Sequence, residues 1–344
     1  MLMVGNFTPS WRPYRQICDE LALQLARMGW AVHTTSTRTA RSLRLMDMVA
    51  TVWRRRHDYS VAQVDVFSGP AFYWAEAVCW TLRRARKPYV LTLHGGNLPA
   101  FARRWPGRVR RLLGSARAVT MPSRYLLDQM RPYRDDLHLL PNPIDIAAYS
   151  FRPRENPQPR LTWLRAFSGI YNPTMAVQVL ARLATNHPEV RLTMIGPDKG
   201  DGSLDRTRRV ADECGISELV DMPGGVPKGE VPAHLAQGDI FLNTTNVDNT
   251  PVSVLEAMAC GLCVVSTNVG GIPYLLEHEV DALLVPPNDP QAMAAAVNRL
   301  FVEPGLAARI SHNARTKVEG FDWSKVLPRW NCLLWSLATS TLQK

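Results

Sequence analysis

The chain has 344 residues, of which 46% are hydrophobic and 20% are charged. This length suits two globular domains, and the composition excludes an intrinsically disordered chain. The six cysteines are scattered, so no disulfide framework is expected. We recognise no signal peptide and no apolar run near the roughly 18 residues of a membrane-spanning helix, and therefore expect a cytoplasmic protein.

The net charge of +10 is unevenly distributed. Residues 1–150 contain 22 Lys and Arg against 10 Asp and Glu, whereas residues 151–344 contain 18 against 20. An acidic partner is therefore expected at the first half of the chain. Three segments of this half interleave arginine with large apolar residues: 53–57, 83–87 and 101–113.

These basic segments allow more than one interpretation. No nucleic-acid-binding module is visible, so we expect no nucleic-acid partner. The aromatic and leucine content favours an anionic membrane surface, which would place the protein peripherally on the inner face of the plasma membrane. Solvated helix faces are the alternative.

Short apolar runs alternate with amphipathic segments in the first half of the chain. Helical patterns include residues 15–28 and a segment that ends at residue 56. Such alternation indicates βαβ units and a parallel sheet, here in a first domain of residues 1–150. Strands are predicted at 1–5, 30–35, 62–67, 89–94, 118–121 and 137–140.

A segment rich in proline and polar residues, 151–160, is the predicted linker. The alternation then resumes in a second domain of residues 160–322, with helices that include 174–186 and 205–214. Strands are predicted there at 161–164, 191–195, 219–222, 240–243, 263–266 and 282–285. We therefore predict two doubly wound domains facing each other across a cleft, with ligands at the carboxyl ends of the strands.

The segment NTTNVDNTPVSVLEAMACG contains the start of a helix. Thr250 offers a capping hydroxyl, and Pro251 suits the first helical position because no amide donor is needed there. The helix is predicted to start at Pro251, to run through Val252 to about Ala259 and to stop at Gly261. Its N-terminus offers free N–H groups and a partial positive charge, which suit a diphosphate.

Two carboxylates flank this helix start. Asp248 comes just before it, and Glu256 lies on the order of 9 Å along the axis at ~1.5 Å rise per residue. That separation fits a nucleotide sugar, with the ribose at Glu256, the diphosphate at the helix start and the sugar near Asp248. A carboxylate can accept both hydrogen bonds of a vicinal diol. On this helix alone, a capped helix with one solvated glutamate is an equally open interpretation.

The surrounding motifs resemble the family-4 retaining glycosyltransferases of the GT-B fold. The family signature is a carboxylate, seven residues, and then Glu-Ala-Met-Ala followed by Gly, as found here from Asp248 to Gly261. The resemblance covers nearly the whole chain, and it implies an acceptor-binding first domain onto which a C-terminal helix (323–344) packs back. The second domain would bind the donor. Further matching motifs are PNPID (141–145), TMIG (193–196), VVSTNVGG (264–271), LLVPPND (283–289) and FDW (321–323).

The resemblance also implies roles for residues of the second domain. Glu256 would bind the ribose hydroxyls and Asp248 the hydroxyls of the transferred sugar, although Asp in place of the usual Glu shortens the reach by one methylene. Arg165 would bind the diphosphate and offset the charge of the leaving group; a surface arginine at a strand end is the alternative. The other implied donor-binding residues are Gly196, Val226, Asn249, Thr250, Pro251 and Val252.

In the first domain the resemblance implies three more roles. His94 would face the donor sugar and would hydrogen-bond it or stabilise an oxocarbenium-like state; a histidine that caps a strand end is the alternative. Gly5 matches a glycine beneath the phosphate, where its missing side chain lets the backbone approach a ligand. Arg15 would reach the acceptor or the diphosphate.

One position departs from the family pattern. The family has a diphosphate-binding lysine about six residues after the arginine, where this chain has Tyr171. A tyrosine hydroxyl can donate a hydrogen bond but carries no charge. Either another cation, such as Lys199, Lys228 or an arginine of the first half, replaces the lysine, or catalysis is impaired.

The resemblance thus implies a metal-independent, retaining hexosyltransferase without a cofactor. It would use a UDP- or GDP-sugar and a glycan or lipid-linked acceptor, in cell-envelope or exopolysaccharide synthesis. The alternative is a catalytically silent GT-B homologue that binds nucleotide or glycan as a partner subunit. Cys260 and Cys263 have CxxC spacing, but a zinc site needs a second pair of ligands, so no metal site is expected.

Overall fold

The computed structural model describes residues 1–8 and 17–339 of the chain, and Arg15 lies outside them. The strands are β1 Leu2–Val4, β2 His33–Thr35, β3 Ala62–Val66, β4 Tyr89–Leu93, β5 Ala118–Met121, β6 Leu137–Leu139, β7 Arg160–Leu164, β8 Arg191–Ile195, β9 Val220–Gly224, β10 Ile240–Asn243, β11 Cys263–Thr267 and β12 Leu283–Val285. The helices are α1 Ile17–Arg27, α2 Arg41–Arg54, α3 Pro70–Arg84, α4 Leu98–Arg104, α5 Pro106–Gly114, α6 Arg124–Met130, α7 Pro173–Ala184, α8 Ser203–Glu213, α9 Val231–Gln237, α10 Val252–Cys260, α11 Ile272–Leu275, α12 Pro290–Val302, α13 Leu306–Val318 and α14 Trp323–Thr339.

Two parallel six-stranded sheets confirm the predicted fold class of two doubly wound domains. Every predicted strand is found within three residues of its expected ends. The prediction succeeds because the central strands, such as β4 and β11, are buried along their whole length and appear in the sequence as nearly continuous apolar runs. In β1, for example, Leu2 and Val4 pack into one core and Met3 packs into the other.

The chain divides into two compact units, Met1–Pro143 with Trp323–Lys344 and Ile144–Asp322. Residues 144–150, which we had expected in the first domain, belong to the second unit. The Ile144 N–H donates to the Phe321 carbonyl at 3.0 Å, and the Ile146 N–H donates to Asp322 Oδ2 at 3.1 Å. These bonds tie the segment to the end of the second unit.

The first unit has the strand order β2-β1-β3-β4-β5-β6, with every described pair parallel. The direction of winding reverses between β1 and β3, which makes their carboxyl ends the topological switch point. The helix α14 belongs to this unit: Trp330 and Leu334 are buried in the core that α1 also covers, and Trp30 Nε1 donates to Asn331 Oδ1 at 2.8 Å.

The second unit has the strand order β12-β11-β10-β7-β8-β9, again all parallel. Here the switch point lies between β7 and β10. Arg165 directly follows β7, and the loop that contains Asp248 follows β10. The topology therefore brings these two residues to the same edge of the sheet.

The segment 151–160 is not the linker between domains that its composition predicts, because it lies within the second unit and is held there by a buried arginine. Arg154 is only 2% exposed, and its Nε donates to Asp239 Oδ1 at 2.9 Å. Its Nη groups donate to the carbonyls of Gly238 (2.8 Å) and Cys260 (2.7 Å). The Cys260 carbonyl at the end of α10 needs a donor, and the buried guanidinium supplies it. Arg152 and the Gln158 N–H also donate to Asp239, so the segment is held at several points.

Among residues 1–8 and 17–339, the helices are all too short or too polar to cross a membrane.

Candidate functional site

The helix α10 begins one residue later than the sequence predicts. Pro251 holds the N-cap position in an extended conformation (φ −69°, ψ 119°) without a side-chain cap, and its carbonyl accepts the Val254 N–H at 3.2 Å. The predicted cap at Thr250 is therefore wrong, because its side chain precedes the true cap by one residue. Gly261 ends the helix, as predicted, in the left-handed conformation (φ 79°).

Glu256 is a buried carboxylate, 3% exposed, in a helix whose residues from Ser253 onward are all buried. It is not the solvated glutamate of the alternative interpretation. Its Oε1 accepts a hydrogen bond from Tyr149 Oη at 2.9 Å and pairs with Lys228 Nζ. A buried charge requires such partners. Neither partner could be predicted from the local pattern around Glu256.

Arg165 and Asp248 form an ion pair at the switch point of the second unit. Both side chains are largely buried, and burial lowers the pKa of the Arg165 guanidinium. Asp248 Oδ1 also accepts the Asn249 N–H at 2.8 Å. Arg165 Nε is buried and has no hydrogen-bond partner in the part of the chain that the structure describes. Arg165 is therefore not the surface arginine of the alternative interpretation.

Tyr171 lies beneath this arginine. The Arg165 guanidinium carbon is 4.4 Å from the centre of the Tyr171 ring, which is a cation–π contact. The turn that contains Tyr171 is fixed by the loop after β10: Thr244 Oγ1 donates to the Tyr171 carbonyl, and the Asn246 N–H donates to the Ile170 carbonyl, both at 2.8 Å. The aromatic ring thus supports Arg165 where the family has a second cation.

The Asp248 loop is held by two glycines of the VVSTNVGG motif. A Cβ atom at Gly270 would lie 2.3 Å from the Asp248 carbonyl oxygen, and one at Gly271 would lie 2.0 Å from that of Asn249. The Gly271 N–H also donates to the Asp248 carbonyl at 3.0 Å. The motif therefore has a structural reason: only glycine allows the loop to approach so closely.

The other predicted donor-binding residues lie around α10 and β8. A Cβ atom at Gly196 would lie 1.7 Å from the Arg165 carbonyl oxygen, so this glycine is required for the packing of Arg165. Val226 and Val252 pack, half-buried, against the core that includes α10. Asn249 and Thr250 are buried beside the helix start.

In the first unit, His94 directly follows β4 and contacts a residue that the sequence did not predict. His94 Nε2 lies 3.0 Å from Asp65 Oδ1, and Gln63 Nε2 donates to the same oxygen at 2.7 Å. A Cβ atom at Gly5 would lie 2.4 Å from Asp65 Oδ2. A charged residue inside the apolar run VAQVDVF was the available sequence signal for Asp65.

The thiols of the CxxC pair are both free and buried. Burial raises the pKa of Cys260 to about 11 and that of Cys263 to about 12, so both are neutral near pH 7. Among residues 1–8 and 17–339, no group of three His, Cys, Asp or Glu side chains could hold a metal ion.

The arrangement in the second unit is suited to a ligand with a diphosphate and hydroxyls. The N-terminus of α10 and the Arg165 guanidinium offer positive charge and N–H donors at one edge of the sheet. The carboxylates of Asp248 and Glu256 offer acceptors before the helix start and within the helix. Each carboxylate is neutralised here by a cation of the same unit, Arg165 or Lys228.

Two family models match successive parts of this chain. The family model described as Glycosyltransferase Family 4 matches residues 7–148, and the model described as Glycosyl transferases group 1 matches residues 151–317. Between them the two models match nearly the whole chain.

Similar curated proteins include the amylovoran biosynthesis glycosyltransferase AmsK of Erwinia amylovora, which is 36% identical over 127 residues, or 35% of this chain and 31% of that protein. The GDP-mannose-dependent alpha-(1-6)-phosphatidylinositol monomannoside mannosyltransferase of Mycolicibacterium smegmatis is 27% identical over 64% of this chain and 60% of that protein. The chain spans about a third of the length of the first curated relatives it matches.

Among solved structures, HepE of Anabaena in complex with UDP-glucose matches with a TM-score of 0.77 at 18% identity. The match covers 97% of this chain and 99% of that one, and at this identity it shows the fold. The sheets, the motifs and both family models lead to one assignment. The chain belongs to the family-4 glycosyltransferases, glycosyl transferases group 1, and has the GT-B fold.

Proposed function

We propose that the chain transfers a sugar from a nucleotide-diphosphate sugar to a glycan or lipid-linked acceptor, with retention of anomeric configuration and without a metal or other cofactor. The observation that carries the proposal is the pairing of Arg165 with Asp248 at the start of α10, with Glu256 buried further along the helix. The likeness to a UDP-glucose complex and to a GDP-mannose-dependent enzyme supports a UDP- or GDP-sugar donor.

The donor replaces two ion pairs when it binds. Its diphosphate takes the N-terminal N–H groups of α10 and the Arg165 guanidinium, whose Nε is otherwise without a partner among the described residues. Its ribose hydroxyls donate to Glu256, and Lys228 shifts from Oε1 to allow this. Asp248, released from Arg165, accepts hydroxyls of the transferred sugar. Exchange of one partner for another avoids leaving a buried charge unpaired.

Retention follows from reaction on one face of the sugar. The bond from the anomeric carbon to the diphosphate oxygen breaks while the acceptor oxygen forms its bond on the same face. The acceptor proton passes to the departing diphosphate oxygen, so no separate protein base is needed. Arg165 and the start of α10 stabilise the negative charge that develops on the diphosphate.

The competing candidate is a homologue that binds nucleotide or glycan without turnover, as a partner subunit. Tyr171 favours it, because this residue brings no charge where the family has a lysine. The cation–π contact with Arg165 favours an active enzyme instead, because the ring then holds Arg165 in position for the diphosphate. Turnover distinguishes the two.

The test is nucleotide release from a panel of UDP- and GDP-sugars, with and without a lipid extract of the cell envelope as acceptor. We expect release by the unmodified protein and a loss of at least ~10-fold in kcat/KM for Asp248→Asn, because hydrogen bonds to a charged group contribute about 1.5–3 kcal/mol. Asp205→Asn, which removes an exposed carboxylate of the same unit, is the matched control. Nucleotide binding without release supports the silent homologue. The absence of both binding and release contradicts both candidate functions.

We further propose a cytoplasmic protein that attaches peripherally to the inner face of an anionic membrane through its first unit. Trp53 and Trp80 are 47% and 53% exposed on the packed helices α2 and α3. The guanidinium groups of Arg56 and Arg84 lie 4.8 and 5.0 Å from their rings. Aromatic rings beside arginines suit the boundary between acyl chains and anionic headgroups.

Vesicle flotation tests this attachment. The unmodified protein is expected to float with phosphatidylglycerol vesicles and not with neutral phosphatidylcholine vesicles. Replacement of the arginines 56, 83 and 84 by glutamine should strongly reduce flotation, since each basic residue near the surface contributes about 1 kcal/mol. Replacement of the exposed arginines 206, 208 and 209 of the second unit is the control. Equal flotation of the two variants, or none by the unmodified protein, would contradict the proposal.

A further inference from the structure

The Asp65 carboxylate lies at the switch point of the first sheet, between the carboxyl ends of β1 and β3. Its side chain is 5% exposed. Oδ1 is 3.0 Å from His94 Nε2 and 2.7 Å from Gln63 Nε2, while Oδ2 occupies the space that a Cβ atom at Gly5 would need. A buried carboxylate is thus enclosed by nitrogen donors at the place where doubly wound sheets bind ligands.

The contacts of Asp65 determine which groups donate. An ionised carboxylate only accepts hydrogen bonds, so a ring nitrogen 3.0 Å from its Oδ1 is a donor, as is the Gln63 amide nitrogen. The Gln63 amide is oriented with its nitrogen towards the carboxylate: Nε2 donates to Asp65 and to Thr92 Oγ1, the latter at 2.8 Å. This orientation leaves the buried Gln63 Oε1 without a hydrogen-bond partner in the described chain. His94 therefore carries a proton on Nε2, and its Nδ1 faces away from the carboxylate.

We propose that Asp65 is a positioning residue, which fixes His94 as the Nε2–H tautomer so that Nδ1 accepts a hydrogen bond from a hydroxyl of the sugar substrate. The identity of the substrate rests on the proposed function. Phe67 stacks on the His94 ring, with ring centres 5.0 Å apart and an interplanar angle of 19°. The backbone N–H of His94 donates to the Val66 carbonyl at 2.8 Å. Phe67 therefore fixes the plane of the ring, Asp65 fixes its tautomer, and the bond to Val66 fixes the backbone of His94.

The tautomer also selects the ligand group. A sugar hydroxyl has a proton to donate to Nδ1, whereas a diphosphate diester oxygen at neutral pH has none. His94 as oriented by Asp65 thus suits a sugar hydroxyl and disfavours the diphosphate. Gly5, the residue expected beneath the phosphate, is at the same time required for Asp65 to occupy its position.

The tautomer can be measured without any substrate. Two-bond proton–nitrogen NMR spectra of histidine-labelled protein at pH 8 distinguish the tautomers, and His94→Gln identifies the His94 signals. We expect Nε2–H in the unmodified protein and a shift towards Nδ1–H in Asp65→Asn, since an asparagine amide can donate to Nε2. If that variant does not fold, the measurement on the unmodified protein decides by itself. Nδ1–H in the unmodified protein, or an unchanged pattern in the variant, overturns the proposal.

Kinetics then separate positioning from a purely structural role. In the nucleotide-release assay, Asp65→Asn is expected to lower kcat roughly ten- to hundred-fold while the donor KM changes less than about threefold. In a His94→Gln background the same substitution should cause no further loss, because Asp65 acts only through His94. Additive losses overturn the proposal. Asp136→Asn, which removes an exposed carboxylate paired with Arg134, is the control. Absence of release by the unmodified protein contradicts the proposed function instead, and the NMR result then decides the positioning role alone.

Discussion

At the scale of single residues, the contact between Arg165 and Tyr171 explains how the site differs from its family. The guanidinium is buried and stacks on the ring at 4.4 Å. A lysine at position 171 would add a second positive charge beside a buried arginine, and each cation would oppose the ionisation of the other. The tyrosine holds one cation in place without that repulsion.

Truncation of this ring should weaken donor use. Tyr171→Ala is expected to raise the donor KM about 2- to 30-fold, since a cation–π contact contributes about 0.5–2 kcal/mol. Tyr171→Phe keeps the aromatic face and is the matched control, with values close to those of the unmodified protein. Equal losses in the two variants would show that the hydroxyl, and not the ring face, is the important group. Donor titration in the nucleotide-release assay measures the donor KM of both variants.

The position of Asp248 depends on a glycine in another segment. Gly271→Ala would place a Cβ atom 2.0 Å from the Asn249 carbonyl oxygen, so the loop must move. We expect a donor KM at least ~10-fold higher, as misplacement by about 1 Å can reduce rates by two orders of magnitude. Gly320→Ala is the matched control because a Cβ atom there meets nothing within 4 Å. An unchanged KM for Gly271→Ala would show that donor binding does not depend on the position of this loop.

At the scale of elements, α10 is fixed at both ends by side chains from other segments. Its start is held through the Asp248 loop, and at its C-terminus the carbonyls of Cys260 and Ala259 accept from Arg154 and Arg315. Burial lowers the pKa of the Arg154 guanidinium, and Asp239, itself buried, is its countercharge. Removal of the arginine would take the buried countercharge from Asp239, which would keep the half-exposed Arg152 guanidinium and the Gln158 N–H. The Cys260 carbonyl would keep only the longer hydrogen bond from the Arg152 N–H, at 3.3 Å.

Arg154→Met should lower the free energy of unfolding of the second unit by about 3–5 kcal/mol, the usual effect of breaking a buried ion pair. The double variant Arg154→Met with Asp239→Leu should recover part of this loss, because no uncompensated charge remains. Arg182→Met on the exposed face of α7 is the control. Urea unfolding followed by circular dichroism measures the difference, and a loss below about 1 kcal/mol would mean that Arg154 does not anchor the helix.

At the scale of the whole molecule, both units place their polar residues at a switch point. Arg165 and Asp248 meet between β7 and β10, and Asp65 lies at the corresponding place in the first sheet, between β1 and β3. The fold could be predicted from the sequence because strands covered on both faces leave unmistakable apolar runs. The C-terminal end of α10 and the two carboxylates could be predicted because Gly261 and a family motif mark them locally, whereas the predicted cap lies one residue too early.

The partners of those carboxylates could not be predicted in the same way. Tyr149 lies 107 residues before Glu256, and Asp65 lies 29 residues before His94. Such pairs form only when packing brings distant elements together, and no local period encodes them. Composition was misleading at residues 151–160, where proline and polar residues indicated a linker. Contacts of Arg152, Arg154 and Gln158 with the buried Asp239 hold that segment within the second unit.

The central claim is that α10 and its two carboxylates bind the donor. The most direct measurement is calorimetric titration of UDP and GDP into the unmodified protein, Glu256→Gln and the surface control Asp205→Asn. We expect the control to bind as the unmodified protein does, and Glu256→Gln to bind roughly 10- to 150-fold more weakly, because a ribose hydrogen bond to a charged carboxylate is lost. If all three proteins bind UDP or GDP with equal affinity, Glu256 does not bind the donor.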